Sequence, residues 1–378
     1  MSSFGLGPSK KGRTADSSMV TRNIKLVAQG QADATYADNQ KKNPFRLSSA
    51  ILNGHAYNSA ILAIRNLGVL AAPPAPPPVY GEMLVAVAMS SSGEFQTALV
   101  DAGGIYRSID FGVNWTPANA SDDFWYVVTM SSSGQFQTAV SFLSGSGTGG
   151  GRIHRSIDFG ENWDLTSAPL ANWNGIAMSS DGQFQTAVAG GGGIYRSIDF
   201  GENWDLTSAP LANWNGIAMS SDGQFQTAVA GGGGGGIYRS INAGVDWSQA
   251  SAPNLEWYGV AMSSDGQYQT AYTDGIWISP DAGVSWTPAN APLTNWNGIA
   301  MSSDGQFQTA LVDAGGIYRS IDFGENWDLT SAPLANWNGI AMSSDGQFQT
   351  ALVAGGGIYR SINAGVDWSQ ASAPTNAN

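Results

Sequence analysis

Between residues 81 and 374 the chain alternates short apolar runs with polar turns, and this pattern recurs about every 41 residues. One element, Met-Ser-Ser-x-Gly-x-aromatic-Gln-Thr-Ala, occurs seven times and alternates strictly with a second, Ser-x-Asp/Asn-x-Gly-x-x-Trp. The distance from the second element to the next first element is always 22 residues, whereas the other distance varies from 17 to 26. All length variation therefore lies in one connection of a repeated unit.

Each unit is predicted to contain four short β-strands, which we call A to D. In the third unit the apolar runs predict strands at 173–179, 184–189, 193–198 and 203–207. Asp181-Gly182, between strands A and B, predicts a two-residue hairpin turn, because both residue types tolerate positive φ. Turn signals of this kind at short intervals indicate an antiparallel sheet.

Seven small sheets cannot bury their faces alone, so consecutive units must stack against one another. The predicted fold class is all-β, a seven-bladed β-propeller of four-stranded antiparallel blades over 81–378. An open β-solenoid is the alternative, although its coils need fewer residues and fewer hairpins. In a propeller the A–B and C–D turns lie on one face, and the B–C loops and D–A connections lie on the other.

The second element resembles the Asp-box, or BNR repeat, as SIDFGENW at 156–163 and SINAGVDW at 240–247 illustrate. This motif is found in propellers of the sialidase, sortilin and photosystem II assembly-factor type, so the resemblance implies a propeller but no single function. We expect the Asp or Asn side chain to accept backbone hydrogen bonds in the C–D turn, since Asn retains the acceptor oxygen. One carboxylate per turn is too few for calcium. The predicted structural residues are Asp110, Asp158, Asp199, Asn242, Asp281, Asp322 and Asn363.

Near-identical units place the same side chains everywhere, whereas catalysis needs particular groups to converge at one place. Six of the seven propeller arginines occupy one repeat position, so none forms the dedicated arginine cluster of a sialidase. The chain has no cysteine, and its two histidines, His55 and His154, are too few for a metal site or a triad. His154 replaces a repeated Tyr, which indicates an aromatic substitute. We expect no enzymatic activity, no metal and no cofactor.

Departures from the repeat are the best candidates for a distinctive surface. The fifth unit supplies the predicted surface-binding residues, Trp257, Tyr258, Tyr272, Asp274 and Trp277. A carbohydrate site would need two carboxylates beside aromatic rings, and the irregular acids are Asp122, Asp123, Glu256, Asp274 and Asp313. A Trp recurs near the start of strand A in six units, where we expect packing between blades rather than glycan stacking: Trp125, Trp173, Trp214, Trp257, Trp296 and Trp337.

The net charge of −13 is divided unevenly along the chain. Residues 1–80 carry nine Lys and Arg against three acids, whereas 81–378 carry seven Arg, no Lys and 26 acids. Nucleic-acid binding by the acidic propeller is therefore not expected, and no apolar run reaches the length of a membrane span. We predict a basic anchoring arm at 1–70, with Lys10, Lys11, Arg13, Arg22, Lys25, Lys41, Lys42 and Arg46, and a proline-rich linker at 71–80.

The arm is too poor in apolar residues for a core of its own, so we expect it to complete itself against a neighbouring subunit. The sequence favours a non-catalytic structural or display protein, a propeller anchored through its arm into a virion surface, filament or other extracellular assembly. Its partners would be further copies or other structural subunits, and possible surface glycans. A carbohydrate-binding or glycoside-hydrolase propeller is one alternative, and an intracellular assembly factor is another.

Overall fold

The computed structural model describes residues 84–142, 150–232, 235–354 and 357–371. All of them belong to Pro74–Asn378, the second of two compact parts into which the chain divides. The predicted arm at 1–70, with its basic residues and His55, lies outside the described residues, and so does the predicted linker at 71–80.

Over its described ranges the chain is all-β, with 28 strands and no helix. Each repeat forms one four-stranded blade, and the blades are numbered 1 to 7 along the chain. The A strands are β1 (Leu84–Met89), β5 (Phe124–Met130), β9 (Trp173–Met178), β13 (Ala212–Met219), β17 (Gly259–Met262), β21 (Trp296–Met301) and β25 (Trp337–Met342). The B strands are β2 (Gln96–Val100), β6 (Gln137–Phe142), β10 (Gln185–Gly192), β14 (Gln226–Gly231), β18 (Gln269–Tyr272), β22 (Gln308–Val312) and β26 (Gln349–Val353).

The two outer strands of each blade are shorter. The C strands are β3 (Ile105–Ser108), β7 (Gly151–Ser156), β11 (Ile194–Ser197), β15 (Ile237–Ser240), β19 (Ile276–Ser279), β23 (Ile317–Ser320) and β27 (Gly357–Ser361). The D strands are β4 (Thr116–Pro117), β8 (Asp164–Leu165), β12 (Asp205–Leu206), β16 (Ser248–Gln249), β20 (Thr287–Pro288), β24 (Asp328–Leu329) and β28 (Ser369–Gln370).

Every blade is an antiparallel meander in which A pairs with B, B with C, and C with D. Five blades are separate four-stranded sheets. Blades 3 and 4 form one eight-stranded sheet, because β10 extends through its glycines and pairs with β13 at Gly190–Asn213 and Gly192–Ala212.

The predicted two-residue hairpin at Asp181-Gly182 is wrong. Ser179 donates its backbone N–H to the carbonyl of Phe184 at 2.8 Å, so four residues lie between the paired positions. Only Gly182 has a positive φ, of +83°. Asp181 stabilises this wider turn with its side chain, whose Oδ1 accepts the hydroxyl of Ser179 and the backbone N–H of Gln183.

Strand D is also shorter than the predicted 203–207, since only Asp205–Leu206 pairs with β11. The reason lies in the preceding turn. Asn203 donates both its backbone N–H and its side-chain amide to Asp199, at 2.9 and 2.8 Å, and is therefore held in the turn.

The A strands contact one another in a closed circle that runs from β1 through β5, β9, β13, β17, β21 and β25 back to β1. They are consequently the innermost strands, and the central axis of the propeller passes between them. Blade 1 and blade 7 are both whole, so closure does not use a blade assembled from two distant parts of the described chain.

One ring of backbone hydrogen bonds surrounds the axis. The second Ser of each Met-Ser-Ser element donates its N–H to the carbonyl of the same Ser in the next blade, at 2.8–3.0 Å. The last step, from Ser344 to Ser91, joins blade 7 to blade 1 at 3.0 Å. These serines lie two residues beyond the ends of the A strands, so the ring of hydrogen bonds joins the A–B turns of neighbouring blades.

A second ring consists of side chains in the Gln-Thr-Ala element. The Thr hydroxyl of each blade donates to the Gln Oε1 of the next blade, at 2.6–2.8 Å. Thr350 closes this ring by donating to Gln96 at 2.8 Å. Both side chains are buried in every blade, and the mutual hydrogen bond offsets the cost of removing them from water.

The hydrophobic core lies between blades rather than within them. Each of the seven clusters in the described parts of the chain combines side chains of two neighbouring blades. Leu84 and Val87 of blade 1, for example, pack with Leu352 and Ile358 of blade 7. No blade could bury its apolar surface alone, so the closed ring is the folding unit.

Candidate binding site at the axial rim

The propeller has two chemically different faces. The turn face carries the A–B and C–D turns, which are 179–184 and 197–204 in blade 3. The loop face carries the B–C loops and D–A connections. In the same blade the B–C loop is only residue 193, because β10 continues to Gly192, and the D–A connection is 207–211. The turns of the turn face have the same length in every blade, whereas the connections of the loop face vary in length.

In the C–D turns, the side-chain oxygens of Ser and Asp accept hydrogen bonds from backbone N–H groups of the turn. The hydroxyl of Ser197 accepts the N–H of Gly201 at 3.0 Å and donates to Oδ1 of Asp199 at 2.8 Å. Trp204 donates its indole N–H to the carbonyl of Gly201, also at 3.0 Å. Phe200 has a left-handed φ of +60°, which a non-glycine residue adopts only when its surroundings hold it there.

The other predicted turn residues make the same contacts. Where Asn242 replaces Asp, its Oδ1 accepts the N–H of Asp246 and its amide donates to the Asp246 carboxylate, so acceptor and donor are exchanged between the two positions. The turn carboxyl or amide groups belong to Asp110, Asp158, Asp199, Asn242, Asp281, Asp322 and Asn363.

Four of these carboxyl groups have a pKa below the ordinary range: Asp158, Asp199, Asp281 and Asp322. Burial alone would raise the pKa of Asp199. Hydrogen bonds from Asn203 and Ser197 outweigh burial, because they favour the charged form, and so the pKa falls. These carboxylates are held ionised as turn acceptors.

On the turn face, aromatic pairs connect blades at four of the seven seams. The aromatic residue of one A–B turn packs on the Phe of the next blade's C–D turn, with ring centroids 4.5–5.2 Å apart. These pairs are Phe95–Phe159, Phe136–Phe200, Tyr268–Phe323 and Phe348–Phe111. At the other three seams the C–D turn carries Ala243, Ala282 or Ala364 instead.

The axial rim is the ring of residues on the loop-face side that directly follow the buried Trp of each blade, or Leu84 in blade 1. Its members are Val85, Tyr126, Asn174, Asn215, Tyr258, Asn297 and Asn338. Each of the four Asn donates its side-chain amide to the backbone carbonyl of the next blade's Trp or Leu84, at 2.7–3.2 Å. The rim therefore joins blades at four seams.

Two aromatic residues depart from this pattern. Tyr126 of blade 2 and Tyr258 of blade 5 are 44% and 46% exposed. Tyr126 packs on Phe142 with ring centroids 5.0 Å apart, and Tyr258 lies 6.5 Å from Tyr272. The rim thus presents two accessible aromatic rings, and its other positions carry four Asn and Val85.

Tyr272 is the buried partner of Tyr258. Burial raises the pKa of its hydroxyl far above the usual range, and the Tyr126 hydroxyl raises it further. Blades 3 and 4 separate these residues on one side of the ring, and blades 6, 7 and 1 separate them on the other. Tyr126 with Phe142 and Tyr258 with Tyr272 are therefore two aromatic pairs in non-adjacent blades of the ring.

The structure separates the five predicted surface-binding residues into two groups. Trp257 is fully buried and Trp277 packs on it, with ring centroids 5.8 Å apart. The inclusion of Trp257 in a surface patch is wrong, because its ring fills the core between blades, whereas Trp277 is half-buried against that core. Tyr258 and Tyr272 meet at the rim, and Asp274 is exposed in the adjoining B–C loop, where Thr273 donates to its carboxylate.

All six repeated Trp are buried between blades, as expected, and none is available for glycan stacking. Each is at most 4% exposed: Trp125, Trp173, Trp214, Trp257, Trp296 and Trp337. His154 takes the place of the repeated Tyr and makes the same edge-on contact with the Trp of its blade, at 4.9 Å from Trp125. The prediction of an aromatic substitute is confirmed.

His154 also lies near Ser141 and Asp123, but the arrangement is unlike a catalytic triad. The same nitrogen, Nε2, faces the Ser141 hydroxyl at 3.3 Å and the Asp123 carboxylate at 4.0 Å. Ser141 is fully buried. Burial lowers the pKa of His154. The negative charge of Asp123 raises this pKa, and the positive charge of Arg152 lowers it. The group is a polar contact inside the core.

The irregular acids are spread over blade boundaries. Asp122 and Asp123 precede blade 2, Glu256 precedes blade 5, and Asp274 and Asp313 lie in the B–C loops of blades 5 and 6. In the parts of the chain that the structure describes, no group of three His, Cys, Asp or Glu could hold a metal ion. Over the same ranges no helix is long and apolar enough to cross a membrane.

Sequence reasoning did not predict the cavity at the turn-face end of the axis. It has a volume of about 170 Å³ and is lined by the Met and Ser residues of the seven Met-Ser-Ser elements. It also did not predict the rim. The sequence did contain a signal for the rim: four repeats read Trp-Asn-Gly, whereas two read Trp-Tyr at the same place.

No family model matches this sequence, and no curated protein matches it. Three similar solved structures are the GH74 xyloglucanase from Xanthomonas campestris (17% identity, TM-score 0.63), Kuenenia stuttgartiensis hydrazine synthase (13%, 0.61) and YCF48 bound to D1 peptide (16%, 0.59). They are β-propellers. This chain therefore has a β-propeller fold.

The three alignments cover 77%, 79% and 78% of this chain. They cover 99% of the hydrazine synthase chain and 98% of YCF48, whereas this chain spans about half the length of the xyloglucanase, 54%. These three similar proteins comprise two enzymes and a peptide-bound protein. Likeness at this level of identity shows the fold and leaves function to the site itself.

Proposed function

We propose that this chain is a non-catalytic structural protein, in which a rigid propeller offers its loop face as a binding surface and the arm at 1–70 anchors it in a larger assembly. The observation that carries the proposal is the closure of the ring. The same backbone and Thr–Gln hydrogen bonds occur at all seven seams, including the seam between blades 7 and 1. A ring held in this way presents fixed surfaces.

The side-chain chemistry supports binding rather than reaction. The exposed departures at the rim, Tyr126 and Tyr258, are large amphipathic rings of the type enriched in protein interfaces. We infer that the C–D turns are Asp-boxes that serve as structural caps, because Asn242 and Asn363 maintain the same turn without a carboxylate at that position.

The distribution of charge supports the anchoring role. The arm at 1–70 has a net charge of +6, and the propeller region at 81–378 has −19. Opposite charges on one chain favour contact between the arm of one copy and the acidic surface of another. A virion surface or a filament is the kind of assembly we propose.

The test compares full-length protein with a variant in which Lys10, Lys11, Lys41 and Lys42 are changed to Gln. Light scattering at low salt should show assemblies of the native chain and smaller species for the variant, because surface charge contacts are lost. A full-length control with Arg107 changed to Gln, which removes the ion pair with Glu161 of blade 2, should assemble normally. Identical scattering of the native chain and the Lys variant would contradict the anchoring role.

A carbohydrate-binding or glycoside-hydrolase propeller is the second candidate, because Tyr258 lies beside the exposed acids Glu256 and Asp274 on the loop face. Glycan-array binding that is lost in the Tyr258→Asn variant would favour it. Release of product from chromogenic glycosides would show a hydrolase. An assembly factor, the third alternative, would instead retain a specific protein partner after its arm lysines are neutralised.

A further inference from the structure

The cavity at the turn-face end of the axis brings seven methionines together. Within the described ranges of the chain, its volume of about 170 Å³ is lined by Met and Ser residues alone. The other three methionines of the sequence, Met1, Met19 and Met83, lie outside the described residues. The methionine ring, as we call the lining set, consists of Met89, Met130, Met178, Met219, Met262, Met301 and Met342.

The ring of serine hydrogen bonds limits the width of this cavity. The second Ser of each Met-Ser-Ser element bonds the same Ser of the next blade at 2.8–3.0 Å. Hydrogen-bonded segments lie about 5 Å apart, so seven of them surround the axis at a radius of about 6 Å. Each Met precedes this Ser by two residues, and both line the cavity. Because a Met side chain has three rotatable bonds, several of the seven can converge on one ion at the axis.

The methionines border the core without being enclosed by it. All seven side chains are half-buried, whereas the first Ser of each element, the next residue along the chain, is buried. Met89, Met130 and Met219 also contact the hydrophobic clusters between blades. An ion that enters the cavity therefore meets methionine side chains that solvent can reach.

The chemistry of the lining favours a soft cation. Thioether sulfur is an uncharged soft ligand that suits Cu(I), whereas Ca²⁺ and Mg²⁺ need oxygen ligands that include carboxylates. Among the described residues no carboxylate lines the cavity. The net charge of −19 over 81–378 raises the concentration of cations near the propeller.

We propose that the methionine ring is a binding site for a soft monovalent cation, Cu(I). The expectation of no metal considered cysteine, histidine and carboxylate ligands and left thioethers aside. The site goes beyond the proposed function and does not depend on it, because the cavity opens on the turn face and the proposed binding surface is the loop face.

Ag(I), added as silver nitrate in a buffer without halide, is the probe, because it is a soft monovalent cation that air does not oxidise. After equilibrium dialysis the native full-length chain should retain a stoichiometric amount of Ag(I), measured by mass spectrometry, and excess Zn²⁺ should not displace it. Changing all seven ring methionines to Leu should abolish retention, since Leu keeps a similar volume and has no sulfur.

The matched control makes the same chemical change outside the ring. Met19→Leu combined with Met83→Leu should retain Ag(I) as the native chain does. His154→Tyr, which introduces the residue that five other blades carry, should also retain it. Circular dichroism reports whether the seven-Leu variant folds. X-ray absorption of the native chain loaded anaerobically with Cu(I) does not depend on that variant, and it should show sulfur neighbours around the metal.

Failure of the native chain to retain Ag(I) would overturn the proposal. Retention by a folded seven-Leu variant, displacement by Zn²⁺, or Cu(I) surrounded by nitrogen and oxygen without sulfur would do the same. Loss of retention in the Met19 and Met83 control would place the ligands outside the ring and would also contradict it. Light scattering of the lysine variant tests the proposed function separately, since no arm lysine belongs to the methionine ring.

Discussion

Two seams of the propeller hold neighbouring blades together in different ways. Between blades 3 and 4, Asn174 of the rim donates to the carbonyl of Trp214, and the turn face has Ala243 where an aromatic pair would form. Between blades 2 and 3, the rim carries Tyr126, and the turn face has the Phe136–Phe200 pair. The two seams therefore use opposite faces for their additional contact.

The same relation extends around the ring. The three seams without a rim Asn, which follow blades 1, 2 and 5, all have an aromatic pair. The three seams without an aromatic pair, which follow blades 3, 4 and 6, all have the rim Asn. Only the closing seam between blades 7 and 1 has both contacts. Where an aromatic pair on the turn face holds two blades together, the rim position of that seam does not need to carry the Asn that bonds the next blade.

The largest expected effect comes from the Thr–Gln ring, which both kinds of seam share. Thr350→Val leaves the Oε1 of Gln96 buried without its donor, so the free energy of unfolding should fall by about 1–3 kcal/mol. Thr186→Val, which affects the seam between blades 3 and 4, should cost the same within that range. Urea unfolding followed by Trp fluorescence measures both values.

Equal costs would show that the closing seam is as well formed in solution as the covalently continuous ones. A substantial cost for Thr186→Val together with none for Thr350→Val would mean that blades 7 and 1 are not joined. The comparison of seams would then apply to an open structure.

A smaller effect is expected at the rim. Asn174→Ala removes the hydrogen bond to Trp214 from a seam that has no aromatic pair, and should lower the free energy of unfolding by about 0.5–1.5 kcal/mol. Tyr126→Asn should raise it by a similar amount, because the new amide can donate to the carbonyl of Trp173. Thermal unfolding of the two variants beside the native protein measures the difference.

Asn338→Ala is the control within the same ring, since its seam keeps the Phe348–Phe111 pair. It should cost less than Asn174→Ala. A larger cost at Asn338 would contradict the idea that the two faces compensate for each other.

The smallest effect is expected in the C–D turns, where Asp199 is exchanged for Asn. The new amide would face the amide of Asn203 as a second donor, so the variant should be slightly less stable at pH 7. The further change Asn203→Asp should restore stability, because it reproduces the Asn242–Asp246 arrangement of the next blade. Failure of this second change to restore stability would contradict the exchange of donor and acceptor.

The pH dependence of the single variant follows from the lowered pKa of Asp199. Its carboxyl contributes stability above its unfolded pKa of about 4, and this contribution is lost as the pH falls through the lower folded pKa. The stability difference between the native protein and Asp199→Asn should therefore shrink below pH 4. Melting temperatures measured from pH 7 down to pH 3 would show this convergence.

Much of the fold followed from the sequence because repetition makes local signals unambiguous. The strands, the order A to D and the buried Trp positions were all predicted from the repeat, and the comparisons with solved structures support a propeller. The errors were local. Asp181 stabilises a wide turn with its side chain, and Trp257, adjacent to an exposed Tyr, is itself fully buried.

The candidate site was predictable only in part. Tyr258 and Tyr272 stood out because they depart from the repeat, but Tyr126 was not selected, since blade 2 and blade 5 are distant in the sequence. That both tyrosines lie on one ring around the axis depends on closure of the A strands. The Gln-Thr-Ala element was visible in all seven units, yet nothing in the sequence showed that each Thr bonds the Gln of the next blade.

The sequence by itself determined the repeating strands, the turn caps and the positions that must be apolar, because these depend on interactions over a few residues. Only the tertiary structure decided how the seams close and where the departures meet. Those features depend on contacts between residues about 40 or, at the closing seam, 254 positions apart. Such contacts exist only after the blades have stacked into a ring.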